Sequence, residues 1–90
     1  MIINVVKVQV LPDYQLELQF DNGEIKIFDF KRYLDYKCYR VLNDVKEFNK
    51  AKASFGTVSW GKDIDIAPET LYEKSVNVNQ LKELGINLVK

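Results

Sequence analysis

The chain has 90 residues, room for one domain, with 47% hydrophobic and 29% charged residues, the balance of a globular protein rather than a disordered or fibrous one. It has no histidine and a single cysteine, Cys38, which excludes a Ser-His-Asp triad, a Cys-His pair, a His-ligated zinc, an internal disulfide and a CxxC knuckle. Lys and Arg number 13 against 13 Asp and Glu, so the basic excess typical of a lone nucleic-acid binder is missing.

The first half reads as three strands. From about Ile3 to Val10, the residues Val6, Val8 and Val10 share one face. Tyr14 to Phe20 alternates strictly, with Tyr14, Leu16, Leu18 and Phe20 on one side and Gln15, Glu17 and Gln19 on the other, a strand period. A two-residue loop between these strands would set Val10 against Gln15. An odd loop, Leu11-Pro12-Asp13, sets Val10 against Tyr14 and Val8 against Leu16, so three or five loop residues or a bulge are expected there. Asn22-Gly23 between alternating runs predicts a two-residue type I′ turn. That turn pairs Phe20 with Ile25, Leu18 with Ile27, and Gln19 with Lys26 on the wet side.

After Phe28-Asp29-Phe30 the period breaks. Asp29 is placed to cap a helical turn, Lys31-Arg32-Tyr33-Leu34, and Asp35 to Arg40 reads as loop. Asn43 or Asp44 caps a short helix, Leu42 to Phe48, with Leu42, Val45 and Phe48 on one face. Ala51 to Phe55 alternates weakly up to Gly56. Thr57 to Trp60 and Ile64 to Ile66 then form a hairpin around a three-residue loop, Gly61-Lys62-Asp63, pairing Trp60 with Ile64 and Val58 with Ile66. Pro68 suits a first helical position and Glu69 a first turn, so a helix is expected to Lys74.

In the stretch from Ser75 to Lys90 one more short helix is expected, with Asn79 as its cap, Leu81 and Leu84 on one face and Gly85 as its stop. Val76, Val78, Leu81, Leu84, Ile86, Leu88 and Val89 are too many aliphatics for a solvated tail. Residues 75–90 are therefore expected to pack on the 1–74 domain or on a partner, with a symmetric dimer slightly favoured over a monomer. The fold class is α+β: an antiparallel three-stranded N-terminal sheet, a short central helix, a second antiparallel hairpin and short C-terminal helices. The expected core is Val6, Val8, Leu16, Leu18, Phe20, Ile25, Ile27, Phe48, Val58, Trp60, Ile64, Ile66 and Leu71.

Three groups carry candidate chemistry. Asp63, Asp65 and Glu69 are the one tight carboxylate cluster, readable as a divalent-metal or acid/base site. Each also has a local role, in a turn, on an outward strand position and in a first helical turn, and that reading is preferred. Cys38 lies between Lys37 and Arg40, but a catalytic thiol lacks its usual histidine base, so a partly buried free thiol is expected. Tyr33, Tyr36 and Tyr39 recur every three residues among Lys31, Arg32, Lys37 and Arg40. This basic-aromatic stretch reads either as a cover for the sheet edge or as a contact surface, for protein or for single-stranded nucleic acid.

The order of these signals resembles a known family. Leu11-Pro12-Asp13-Tyr14, Phe20-Asp21-Asn22-Gly23-Glu24, Phe28-Asp29-Phe30, Gly56-Thr57-Val58-Ser59-Trp60, Asp63-Ile64-Asp65-Ile66-Ala67-Pro68-Glu69 and Leu71-Tyr72 together resemble a bacterial family of small proteins known as a domain of unknown function, number twenty-four forty-two. The resemblance covers roughly residues 1–74. It implies an α+β fold of two small antiparallel sheets or hairpins with short helices, and it carries over no catalytic residues. Some members precede a helix-turn-helix domain, and others are encoded beside a small toxin-like protein; the second context fits this chain better.

The expectation is thus a small non-catalytic module that binds another protein, antitoxin-like if the resemblance holds, with Tyr33, Tyr36, Tyr39 and Arg40 as its candidate interaction surface. A nucleic-acid-associated regulator is the alternative, and a metal-dependent enzyme using Asp63, Asp65 and Glu69 comes third. No cofactor, metal or membrane is expected. With no apolar run near the ~20 residues of a spanning helix and no charged region ahead of the apolar opening residues, the expected location is cytoplasmic.

Overall fold

In the computed structural model, residues 3–61 and 64–78 are described. Two antiparallel sheets enclose one core. The larger is built from β1 (Val5–Leu11), β2 (Gln15–Phe20), β3 (Ile25–Asp29) and β7 (Val76–Asn77), in that spatial order; the smaller is β4 (Lys52–Ser54), β5 (Thr57–Trp60) and β6 (Ile64–Ile66). Between the sheets in sequence lie a 3₁₀ turn at Lys31–Tyr33, a 3₁₀ helix at Lys37–Asn43 and the one-turn helix α1 (Val45–Phe48). Helix α2 (Pro68–Lys74) follows β6, with Pro68 in its first turn. The three-stranded sheet expected from the sequence thus gains β7, and the second hairpin gains β4. The expected helix beyond Asn79 and the loop residues Lys62 and Asp63 lie outside the described residues. Among the described residues, no helix is long and apolar enough to cross a membrane.

The β1–β2 connection has three loop residues, as expected, but they are Pro12, Asp13 and Tyr14. Val10 pairs with Leu16 and Val8 with Leu18. This is a shift of two from the expected register, so the apolar residues stay on one face. Asp13 and Tyr14 both have positive φ. Tyr14 leaves the strand and packs its ring 4.9 Å from Phe48. At the start of β1 a bulge between Val5 and Lys7 breaks the alternation. Val5 is buried there, and Val6, expected in the core, is 54% exposed.

The β2–β3 register corrects the sequence reading by one residue. A type I′ turn needs positive φ at both central positions. Here Gly23 has φ 90° and Asn22 is not among the positive-φ residues. The amide of Phe20 donates to Glu24 O, and that of Gly23 donates to Phe20 O, so Asp21-Asn22-Gly23 is a three-residue loop with a bulge glycine. Leu18 therefore faces Lys26, and Leu16 faces Phe28. Ile25 falls on the outer face and is exposed. Ile27 is also on the outer face, but it is buried there beside its β7 partner Val76.

The β5–β6 hairpin has the expected register: Trp60 opposite Ile64, Ser59 opposite Asp65, Val58 opposite Ile66. Asp29 caps the first 3₁₀ turn, accepting the Lys31 amide at 2.9 Å, and Asp44 caps α1, accepting the Lys46 amide at 3.0 Å. Asp35 to Arg40 is not simply loop, because the 3₁₀ helix begins at Lys37. That helix ends at Asn43, so Leu42 and Val45 belong to different elements. Leu42 is buried while Val45 is exposed, and the expected stripe through Leu42, Val45 and Phe48 is broken.

The core fills the space between the sheets. Leu16, Leu18, Phe20 and Phe28 contribute from the larger sheet, Val58, Trp60 and Ile66 from the smaller, Phe30, Leu34, Leu42 and Phe48 from the connecting segment, and Leu71 from α2. Phe30 is the hub, with ring centroids 5.1–5.6 Å from Tyr33, Tyr39, Phe48 and Trp60. Burial of one such ring stabilises by about 1.5–3 kcal/mol. Trp60 also satisfies its indole N–H, donating to Phe48 O at 2.9 Å. Where the sheets meet, the Val5 amide donates to Gly56 O, and the Asp21 amide donates to Asn4 O, each at 2.8 Å.

Candidate functional site

The tyrosine repeat occupies the segment that bridges the two sheets. Tyr33 ends the first 3₁₀ turn, Tyr36 is the extended residue that precedes the 3₁₀ helix, and Tyr39 lies within that helix. Their rings nonetheless form one file. Ring centroids are 5.6 Å apart between Tyr33 and Tyr36, and 6.4 Å between Tyr36 and Tyr39, the latter pair stacked at 28°.

The three rings do different things. Tyr33 stacks on Phe28 at 5.4 Å, and Tyr39 sets its edge against Phe30 at 5.1 Å, so both lean on the core. The Tyr39 hydroxyl donates to Asp65 O at 3.0 Å, tying the segment to β6. Burial raises its pKa, with the nearby charges of Cys38 and Asp65 adding to the effect. Tyr36 is the outward ring, at 56% exposure. Tyr33 and Tyr39 thus close the core, and Tyr36 is exposed to solvent.

The basic residues also divide. Lys31 turns back to Asp13 at 2.8 Å and Asp29 at 3.5 Å; its pKa is raised chiefly by the Asp13 hydrogen bond. Arg32, Lys37 and Arg40 are exposed and make no ion pair among the described residues. Tyr36 therefore stands exposed between two anchored rings, on a segment whose Arg32, Lys37 and Arg40 are exposed and without an ion pair among the described residues. Cys38, expected to be partly buried, is exposed on the same 3₁₀ helix.

The carboxylate cluster is only partly within the described residues, since Asp63 lies outside them. Asp65 points outward from β6, and Glu69 is exposed in the first turn of α2. Among the described residues, no group of three or more Cys, Asp or Glu is placed to hold a metal ion.

Two features escaped the sequence reading. The first is a polar knot on the β2–β3 turn. The Tyr72 hydroxyl and the Asn22 side-chain amide donate to one oxygen of Glu24, and Asn77 Nδ2 donates to the other. Beside it, Lys26 is buried to 9% exposure, donates to Tyr72 O at 2.6 Å, and lies 3.9 Å from the Tyr72 ring centroid. The second is the β4–β5 turn, where Phe55 is fully exposed with φ 52°. Ser54 pairs with Thr57, so Phe55-Gly56 is a two-residue loop. Without the Asn-Gly signature it reads as the end of a strand.

Two antiparallel sheets bridged by 3₁₀ segments around one aromatic core make this a small α+β domain. The chain belongs to the family described as "Protein of unknown function (DUF2442)", which matches residues 5–77, the span from β1 through β7. No curated protein and no solved structure matches the chain.

Proposed function

We propose that this protein is a non-catalytic module that binds another protein through the ledge formed by Tyr36, Arg40, Arg32 and Lys37. The observation that carries this reading is the exposure of the Tyr36 ring while its neighbours Tyr33 and Tyr39 are anchored on Phe28, Phe30 and Asp65. Tyrosine and arginine are enriched in binding hot spots, and a ring held by its neighbours loses little conformational entropy on contact. The exposed Arg32, Lys37 and Arg40 of the same segment, without an ion pair among the described residues, favour an acidic partner surface. A small toxin-like protein is the partner class that the family resemblance suggests, which makes an antitoxin-like role the form this module would take in the cytoplasm. The absence of histidine from the chain supports a binding role over acid–base catalysis.

Affinity purification from the native host tests the reading. Wild type is compared with the double variant Tyr36→Ala/Arg40→Ala, whose thermal melt is expected to match because neither side chain is buried. A single protein should co-purify stoichiometrically with wild type and be lost with the variant. Co-purification of nucleic acid, with binding that falls steeply as salt rises, would replace this reading with a nucleic-acid one. Equal protein capture by both forms would remove the ledge from the interface.

A further inference from the structure

Two side chains on the outer face of the larger sheet are buried without belonging to the core. Leu11 and Ile27 are 6% and 8% exposed, yet neither is part of the cluster packed between the sheets. Leu11 pairs with Gln15 and Ile27 with Glu17, positions that alternate with the inward Leu16 and Leu18.

The burial forms a diagonal stripe across that face. Glu17 and Gln15, between Ile27 and Leu11, are half-buried. Gln9, Gln19 and Ile25 on one side of the stripe are exposed, and so is Asp29 on the other. A strand side chain stands roughly perpendicular to its sheet, so a neighbour within the sheet shields only its flank. Val76 flanks Ile27 in this way and is itself 41% exposed. Burial this complete needs a cover above the stripe.

The described elements do not supply one. Those that pack most closely with the larger sheet are β4, β5 and α2. They contribute Ala53, Val58, Trp60 and Leu71 to the core, on the opposite side. Leu11 and Ile27 are nonetheless buried within a single chain, so the cover is part of this chain. Met1 and Ile2 precede β1 at the Val5 end, away from Leu11, and Lys62 and Asp63 join β5 to β6 in the smaller sheet. Residues 79–90 remain, and they follow β7, the strand beside Ile27.

We propose that residues 79–90 fold back over the outer face of the larger sheet as a strap, seating their aliphatic side chains on Leu11 and Ile27. The length suffices. From Asn77 to Leu11 the diagonal crosses three strand spacings and three residue rises, about 18 Å in all. Residues 79–84 as a helix span roughly 9 Å, and 86–90 extended add roughly 17 Å. The pattern suits an apolar stripe: Leu81 and Leu84 share a helical face, and after Gly85 the residues Ile86 and Leu88 share a face of an extended run. The charges match as well. The segment has two lysines, Lys82 and Lys90, against one glutamate, Glu83, and the one ionisable group of the stripe is the Glu17 carboxylate. This surface is thus filled from within, and a partner reaches it only by displacing the strap. The proposal does not rest on the Tyr36 ledge.

Methyl NOE spectroscopy on the full chain tests it. The methyls of Leu11 and Ile27 should show contacts to methyls of residues 81–88, and these should persist when labelled chains are diluted into an excess of unlabelled ones. Tyr36→Ala should leave them unchanged. Urea denaturation supplies a second measurement. Leu11→Ala should lower the midpoint of the full chain at least about twice as far as that of a chain lacking residues 79–90, because residues that share a contact are not additive. Leu84→Asp, which charges the strap without shortening the chain, is a second such background. Contacts from Leu11 and Ile27 that reach only residues 3–78, contacts that vanish on dilution and so belong to a second copy, or equal effects of Leu11→Ala in all backgrounds would each overturn the proposal.

Discussion

At the scale of single residues, Glu24 ties two distant parts of the chain and its own turn to one carboxylate. Tyr72 comes from α2, Asn77 from β7 and Asn22 from the turn beside it. The Glu24 pKa is lowered from 4.5, chiefly by the Tyr72 hydrogen bond, and that of Tyr72 is raised from 10.0 by the same contact. A carboxylate whose folded pKa is depressed contributes stability that is full above its unfolded value and lost as pH falls through the folded one. The raised phenol works in the opposite sense: its contribution is present below pH 10.0 and lost as pH climbs through the folded value. Tyr72→Phe removes the hydroxyl and keeps the ring beneath Lys26. Its melting temperature should lie below that of wild type near neutral pH, and the gap should close as melts are taken below about pH 4.5. A gap constant across pH would show that the hydroxyl acts other than through the Glu24 charge. None of this was legible in the sequence. Tyr72 is 48 residues from Glu24, and Lys26 read as a wet-side neighbour of Gln19 because its partner, the same Tyr72, lies 46 residues further along the chain.

At the scale of elements, the two hairpins show when a register can be read. Around Gly61 only one loop length sets Trp60 and Val58 against apolar partners, and the observed pairing follows it. Around Gly23, β3 runs Ile25-Lys26-Ile27-Phe28, with apolar residues on both faces. Either register buries something, so the pattern did not choose between the two-residue and three-residue loops. Turn chemistry chose, through a bulge glycine. Gly23 and Gly56 share positive φ, but they differ in space. Nothing lies within 4 Å of a Cβ at Gly23, whereas one at Gly56 meets Asn4. Gly23→Ala should thus cost only its backbone strain, about 1 kcal/mol. Gly56→Ala should cost clearly more, since it also displaces the Asn4–Asp21 contacts at the junction of the sheets. Urea denaturation of the two variants checks the order. Equal midpoints would mean that Asn4 yields freely and the junction is not rigid.

At the scale of the whole molecule, the alternating segments gave the α+β class and most of the core, while long-range closure stayed hidden. Strand β7 is two residues long and pairs with β3 some fifty positions earlier in the chain; no local period marks so short a segment. Its effect is larger than its length. Val76 sits opposite Ile27 and Asn77 opposite Lys26, so β7 covers the outer-face Ile27, closes the free edge of β3 and brings Asn77 to Glu24. Removing residues 76–90 should bare that isoleucine and unpair that edge, at a cost of roughly 1–3 kcal/mol from the apolar burial alone. Removing only residues 79–90 keeps β7 and supplies the reference, so the step between the two truncations isolates the strand. Urea midpoints should fall between the shorter and the longer deletion, and Tyr72→Phe should then cost less in the 76–90 deletion, because the knot at Glu24 has already lost Asn77. Coincident midpoints for the two truncations would show that β7 contributes no stability and that β3 closes the sheet by itself.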